Sequence, residues 1–395
     1  MEIFSELGRA MLGLWWMWGT IILGWIFGAL WIAWRQALFK SKQVWSVLDI
    51  KLPREAKRGI IAMEQIMMNI WALRNTPGNM YEWYWDGETT LWYSFEIVSL
   101  GGEIHFYLRT PSRYVNIIKS NFYGHYPDCE VEEVKDYIDR LPKTIPELYE
   151  SGYNIFGLEM FLAKLNCYPC RTYKEFESDD EMQNIDPLAG VLEVLSRIQS
   201  EEIVMMQVVA RPASTNPPAR LVKLAEAEIA RLKEELIKNA PKKGAILDFE
   251  ESIGAMSSRT PGETEIMKKI EAKATKNYFE TMIRYVYVAP KEDFNIVLPY
   301  RGLRISFQQF SIPNSNHFDV NYGTWTRTWI WEWPYIFPKI RGEGHKARMW
   351  DNFRNRKLPS GTFMGKLSQF HIFTSSFAQI ISLLNTEELA TLWHL

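Results

Sequence analysis

Hydrophobic and polar positions follow three rhythms along this chain. In the first, apolar residues run on without interruption. Between Arg9 and Arg35 lie 25 uncharged residues, Ala10 to Trp34. At about 1.5 Å per residue they can cross a hydrocarbon layer of about 30 Å with some tilt. A cleavable signal would have a shorter apolar core and a small-residue cleavage site, and the Ala29–Ala33 neighbourhood offers neither. The stretch therefore predicts a single retained transmembrane helix. No later apolar run reaches 18 uncharged residues.

The other two rhythms fill the rest. Ile61, Ile66, Met67, Ile70 and Leu73 fall at helical spacing, and a Thr76-Pro-Gly-Asn79 turn ends that helix. Three β-rich runs follow: Tyr81 to Trp85, Leu91 to Val98 and Ile104 to Arg109, separated by Asp86-Gly87 and Gly101-Gly102. Those dipeptides read as hairpin turns, so the runs predict an antiparallel meander. A helix carrying Val115, Ile118 and Phe122 and a strand over Cys129–Val134 complete the unit. The expected fold class is α+β, with cytoplasmic ferredoxin-like α/β sandwich units behind the membrane helix.

A second unit is predicted from the helix 187–198 before the strand 203–210, and from the helix 264–276 before the strand 281–289. Between them, 217–239 reads as a mixed-charge helix and 240–262 as a loop. The expected organisation is an anchor with its flanks over 1–42, a first domain over 43–145 and a second over 146–313. A C-terminal region over 314–395 contains a Trp-rich strand, a basic segment and a final helix. The strand is predicted because Trp325, Trp329, Trp331, Trp333, Tyr335 and Phe337 all occupy odd positions.

Composition changes this picture in few places. The net charge is only -2, yet residues 339 to 366 hold eight cations against two acids, a local +6. Lys339, Arg341, Lys346, Arg348, Arg354, Arg356 and Lys357 thus form a candidate basic patch for anionic lipid headgroups or nucleic-acid phosphates. Trp is abundant, 17 in all. Trp15, Trp16 and Trp18 near one end of the apolar stretch and Trp31 and Trp34 at the other match the aromatic belts of membrane-spanning helices. Gly24 and Gly28 form a GxxxG through which two such helices can self-associate. Arg35, Lys40, Lys42, Lys51 and Arg54 follow the stretch and only Arg9 precedes it. This places the N-terminus outside and the body in the cytoplasm, at the inner membrane.

Candidate chemistry is sparse. Cys167 and Cys170 have CxxC spacing, but no second pair completes a zinc site, so ordinary thiols are expected. Gly361 to Ser368 lacks the spacing of a phosphate loop, and no nucleophile elbow, zinc-protease or dinucleotide motif is present. The six histidines are scattered. No catalytic, cofactor or metal residue is assigned, and a non-enzyme is expected.

Several strings resemble a known family. Phe95-Glu-Ile-Val98, Ile104-His-Phe-Tyr-Leu108 with Gly124-His-Tyr-Pro127, Thr260-Pro-Gly-Glu-Thr-Glu265 and Leu384-Asn-Thr-Glu-Glu-Leu-Ala-Thr-Leu-Trp-His394 resemble the membrane-proximal portion of bacterial type IV secretion and conjugative DNA-transfer coupling proteins. Related ring-forming ATPases of candidate-phyla bacteria share the likeness, which spans most of the body from Lys57 onward. In that family the final string leads into a P-loop motor, which is missing here. The resemblance implies a non-catalytic subunit that tethers or regulates a separate P-loop ATPase, with any nucleic-acid contact indirect. Glu387, Glu388, Leu389 and Leu392 would then face the partner. The alternative is a membrane-surface scaffold unrelated to DNA.

Overall fold

A computed structural model describes residues 13, 15–51, 53, 59–176, 185–213, 219–239, 261–331, 335, 337–359 and 377–395. The apolar stretch forms one helix, α1 (Trp15–Ser41), long and apolar enough to cross a membrane. Three residues later the chain enters β1 (Trp45–Lys51), a strand the apolar pattern did not announce. It is followed by α2 (Ile60–Ala72), β2 (Tyr93–Leu100), β3 (Glu103–Pro111), α3 (Val115–His125) and β4 (Glu130–Val134). The sheet order of this half is β4-β1-β3-β2, every neighbouring pair antiparallel. Tyr81–Trp85 is not the first meander strand: residues 82–86 form a helical turn instead. The β2–β3 hairpin turns on Gly101 and Gly102, both at positive φ that glycine adopts without strain.

The second half repeats the order. After the short helix α4 (Ile145–Glu150) come β5 (Tyr153–Leu162), α5 (Ala189–Ser196), β6 (Ile203–Pro212), α6 (Ala219–Asn239), α7 (Pro261–Ala274) and β7 (Tyr278–Pro290). Then follow the short helix α8 (Leu303–Ser306) and β8 (Phe318–Asn321), in the sheet order β6-β7-β5-β8. Where the first half turns through two glycines between its second and third strands, the second inserts α6 and α7. The expected repeat therefore exists, but through β1 and β5, which sequence reading passed over. Of the helix–strand pairs expected, 187–210 is α5–β6, the counterpart of α2–β2, while 264–289 (α7–β7) has no helix in the matching place of the first half.

Strands β2 and β6 pair from Tyr93–Ala210 to Leu100–Ile203, joining both halves in one antiparallel sheet. Strands of the first and second expected domains thus share one sheet. Residues 314–395 spread through both. Helix α9 (Pro338–Arg354) crosses one face, while β9 (Ser382–Asn385) pairs with β7 and runs straight into α10 (Thr386–Leu392). One sheet face packs under α2, α3, α5 and α10 through Phe95, Leu108, Ile118, Val208 and Trp393. The opposite face packs under α9 and α4 through Val98, Met205, Val286 and Trp350. Cover on both faces explains why the central strands read as nearly continuous apolar runs.

The Trp-rich stretch is a further departure. Among the described residues of 325–337 there is no strand. Trp329 and Trp331 stack on each other at 4.9 Å, and Trp325 packs on Phe156, Tyr300 and Tyr322. Tyr335 and Phe337 take positive φ, which a regular strand does not, and Trp333 lies outside the described residues. The expected loop 240–262 falls almost wholly, and Lys366 and the 361–368 stretch wholly, outside the described residues.

Candidate functional site

The outermost feature is α1. Residues Ile21 to Phe27 are all exposed, with Leu23 at 66%, and from Gly28 onward the helix is partly covered by the body. That cover comes from the 82–86 turn. Trp31 Nε1 donates to the Tyr84 carbonyl at 2.9 Å, and the Trp31 ring meets the Trp85 edge at 5.3 Å and Tyr84 at 6.4 Å. Gly87 closes the contact: its φ is +68°, and a Cβ built there would lie 2.4 Å from the Arg35 carbonyl carbon. The Asp86-Gly87 dipeptide, expected to turn a hairpin, instead lets the backbone pass flush against α1. Arg35 caps the cluster over the Trp31 and Trp34 rings.

The expected belt residues Trp16, Trp18, Trp31 and Trp34 lie on this helix, which begins at Trp15. Gly24 has open space around it, whereas Gly28 faces the Tyr84 hydroxyl of the same chain at van der Waals distance.

The second feature is a row of polar residues running across all eight strands of the main sheet path. Register pairs Glu132 with Asp49, Asp49 with Tyr107, Tyr107 with Glu96 and Glu96 with Gln207. It then pairs Gln207 with Arg284, Arg284 with Glu159 and Glu159 with Asn321. From Glu96 to Glu159 these side chains are essentially inaccessible. Sequence reading missed them. Each interrupts an otherwise apolar strand: Glu96 in Phe95-Glu-Ile-Val98, Gln207 between Met206 and Val208, and Arg284 between Ile283 and Tyr285. A lone charge at the centre of a buried strand was the available signal.

The candidate basic patch supplies the counter-charge. Arg356 is 1% exposed and holds Glu96 by Nε to Oε1 at 2.9 Å and NH2 to Oε2 at 3.1 Å, while both terminal nitrogens reach Asp136. Tyr137 Oη also donates to Glu96 at 2.7 Å, and Gln207 Nε2 donates at 3.1 Å. Burial alone would raise the Asp136 carboxyl, but the Arg356 guanidinium outweighs it and holds the group below its usual range. Arg284 donates to the carbonyls of Asn352 and Lys357 at 2.6 and 2.7 Å and lies 3.4 Å from Glu159, whose carboxyl is still raised by burial.

Arg354 donates to the carbonyls of Ile138, Leu141 and Pro142, and Arg341 to that of Trp329. Lys346 bonds Tyr149 and Glu343, and Lys357 pairs with Asp351. Arg348 is partly covered and engaged, whereas Lys339 is exposed. Of the seven residues of the expected basic patch, Arg341 and Arg356 are buried and engaged within the fold, Lys346, Arg348 and Arg354 are half-buried, and Lys339 and Lys357 are exposed. Its engaged charges answer acids and carbonyls of the sheet and its loops, because α9 lies on a sheet face that carries the polar row.

The C-terminal helix is likewise internal, with all seven residues of α10 buried. Glu388 caps it through Asn385 in a reciprocal capping box, accepts from Lys273 Nζ at 2.9 Å and accepts from the Cys170 backbone at 3.0 Å. Glu387 takes Thr172, Lys174 and Lys276, with Lys276 bridging to Glu64 at 3.0 Å. Burial opposes ionisation of Glu387, but these donors lower its pKa overall. Leu389 and Leu392 join the core under α2. All four are buried within this chain; the Asn-Thr-Glu-Glu string is a cap, and its acids are fixed by lysines of this chain. All three cysteines are free and buried, and burial pushes the Cys167 thiol up to about 11. Among the described residues no group of three or more His, Cys, Asp or Glu could hold a metal ion.

These features define a mixed α/β protein in which an apolar helix runs directly into one continuous antiparallel sheet. Residues 36–298 match the sequence profile of the family described as Domain of unknown function (DUF8128), and the chain belongs to that family. The match begins at the foot of α1 and ends in the segment before α8. No curated protein matches the chain.

Proposed function

We propose that this protein is a membrane-tethered, non-catalytic platform, with its N-terminus outside and its sheet body at the cytoplasmic face of the inner membrane. The observation that carries this reading is α1, which exposes every residue from Ile21 to Phe27 and joins the sheet through three residues. Such an apolar surface has no place in water. The cations from Arg35 onward support the orientation. The 4-1-3-2 strand order of each half supports reading the halves as fused ferredoxin-like units.

The resemblance to conjugative coupling proteins extends the proposal: the platform tethers or regulates a separate P-loop ATPase in DNA transfer. Its strings at 95–98, 104–108 and 384–394 lie on β2, β3 and the β9–α10 segment, largely inside the fold, while those at 124–127 and 261–265 lie at the more exposed end of α3 and start of α7. They support kinship of architecture more than a shared contact surface. In membranes of the expressing cell the full chain should resist alkaline carbonate extraction, and Leu23→Arg should move it into the soluble fraction. Extraction of the unaltered chain by carbonate alone would sink the tether. Affinity isolation in mild detergent should recover a P-loop ATPase. Repeated isolation without one would leave the scaffold reading in its place.

A further inference from the structure

We infer that residues 79–86 form a second membrane contact, an aromatic foot seated at the headgroup–acyl boundary that fixes the bilayer surface level with Trp31. The inference rests on the reading that α1 spans the membrane, and it specifies where the span ends. Met80, Tyr81, Trp83 and Trp85 all point outward, at 79%, 64%, 40% and 50% exposure. Four large apolar side chains within six residues would be costly on a surface meant only for water. Indole and phenol rings favour the boundary region, where an apolar body and a polar tip are both satisfied.

The turn is held in place. Its opening is tied by Gly78 N–H to Glu82 Oε2 at 2.7 Å and by Glu82 N–H to Asn79 Oδ1 at 2.9 Å. Its centre is pinned to α1 by the Trp31–Tyr84 hydrogen bond, and its end by Gly87 against Arg35. The foot therefore cannot move independently of the helix.

The lengths agree. α1 contributes the 16 residues from Trp15 to Leu30, about 24 Å of a hydrocarbon layer of about 30 Å, and the uncharged sequence continues back to Ala10. The remaining Trp31–Ser41 would then stand above the boundary as a stalk, with Arg35 over Trp31 and Trp34 and Lys40 over Trp92. The foot carries Glu82 and Asp86 and no cation. It would seat through its rings, independent of anionic lipid.

Single cysteines at Met80, Trp83 and Leu23 in the full chain, labelled with an environment-sensitive fluorophore, test this. The three native cysteines are buried. In phosphatidylcholine–phosphatidylglycerol vesicles, Met80→Cys and Trp83→Cys labels should shift to the blue and be quenched by a shallow spin-labelled phosphatidylcholine. The Leu23→Cys label should be quenched by a deep one. The Met80 and Trp83 signals should be the same in pure phosphatidylcholine. If both of those labels are quenched by aqueous iodide and not by the shallow lipid, while Leu23 keeps its deep quenching, the foot is rejected and the tether stands. If Leu23 is not quenched by lipid either, the tether fails and the foot with it.

Discussion

Arg356 sits at φ +47°, a conformation that costs a bulky residue about 1–3 kcal/mol. It is kept there by the two carboxylates it neutralises. Removing one partner of a buried ion pair costs about 3–5 kcal/mol because the other charge is left uncompensated. Arg356→Met should therefore lower unfolding stability by about that amount, read as a fall in denaturant midpoint for the full chain in detergent micelles. Adding Glu96→Gln should restore part of the loss; a double variant less stable than the single one would contradict this account. Gly87 is a second position where one atom matters. Gly87→Ala adds a positive-φ penalty and drives a Cβ into the Arg35 backbone. It should cost about 1–3 kcal/mol and speed hydrogen exchange in residues 82–88 more than in β2 or β6. Uniform loss of protection would mean the contact is not local. Cys167, held up to about 11 by burial, should not react with a thiol reagent at neutral pH until the chain unfolds, when all three thiols should titrate. Rapid labelling of native protein would overturn that.

At the scale of elements, α10 shows how a short helix is retained. Seven residues cannot hold a helix by propensity. The capping box and the lysines on Glu387 and Glu388 supply what the length does not. The pH dependence follows. Glu387 and Asp136 have folded pKa values below their unfolded ones. Their contribution is fully present above the ordinary carboxylate range of about 4 and is lost as pH falls through the lower folded values. Stability should decline on acidification through that window, and Glu387→Gln should flatten the decline. An unchanged pH profile would show that Glu387 ionises alike in both states. The strap of α9 and 355–359 follows the same logic, since its arginines are placed by the acids and carbonyls beneath them.

At the scale of the whole molecule, two similar halves make one sheet because the outer strand of each half is the other's missing neighbour. The β2–β6 seam leaves no free edge at the centre, and β4 and β8 end the path. The apolar helix, the helical spacing of α2 and α3, the β2–β3 hairpin and strands β6 and β7 were legible in the chain, because each is written in local periodicity and turn chemistry. β1 and β5 were not. A strand covered on both faces loses its alternation, and Asp49 and Glu159 made these two look less apolar still.

The sequence by itself determined that there is one long apolar helix, that the body is mixed α and β with a repeat, and which residues carry charge. Only the tertiary structure decided where those charges go. Within the +6 segment that reads as a surface patch, Arg341 and Arg356 are turned inward, and the acid that holds Arg356 lies 260 residues away along the chain, on a strand brought beneath it by pairing. Aromatic periodicity, likewise, could mark a strand. At Tyr81–Trp85 the fold forms a helical turn instead, placing Tyr84 and Trp85 against Trp31, more than 50 residues distant. Where local pattern named the element correctly, as in α1, α2 and β6, long-range pairing still decided which of its faces meets solvent, through groups the element's own sequence does not contain.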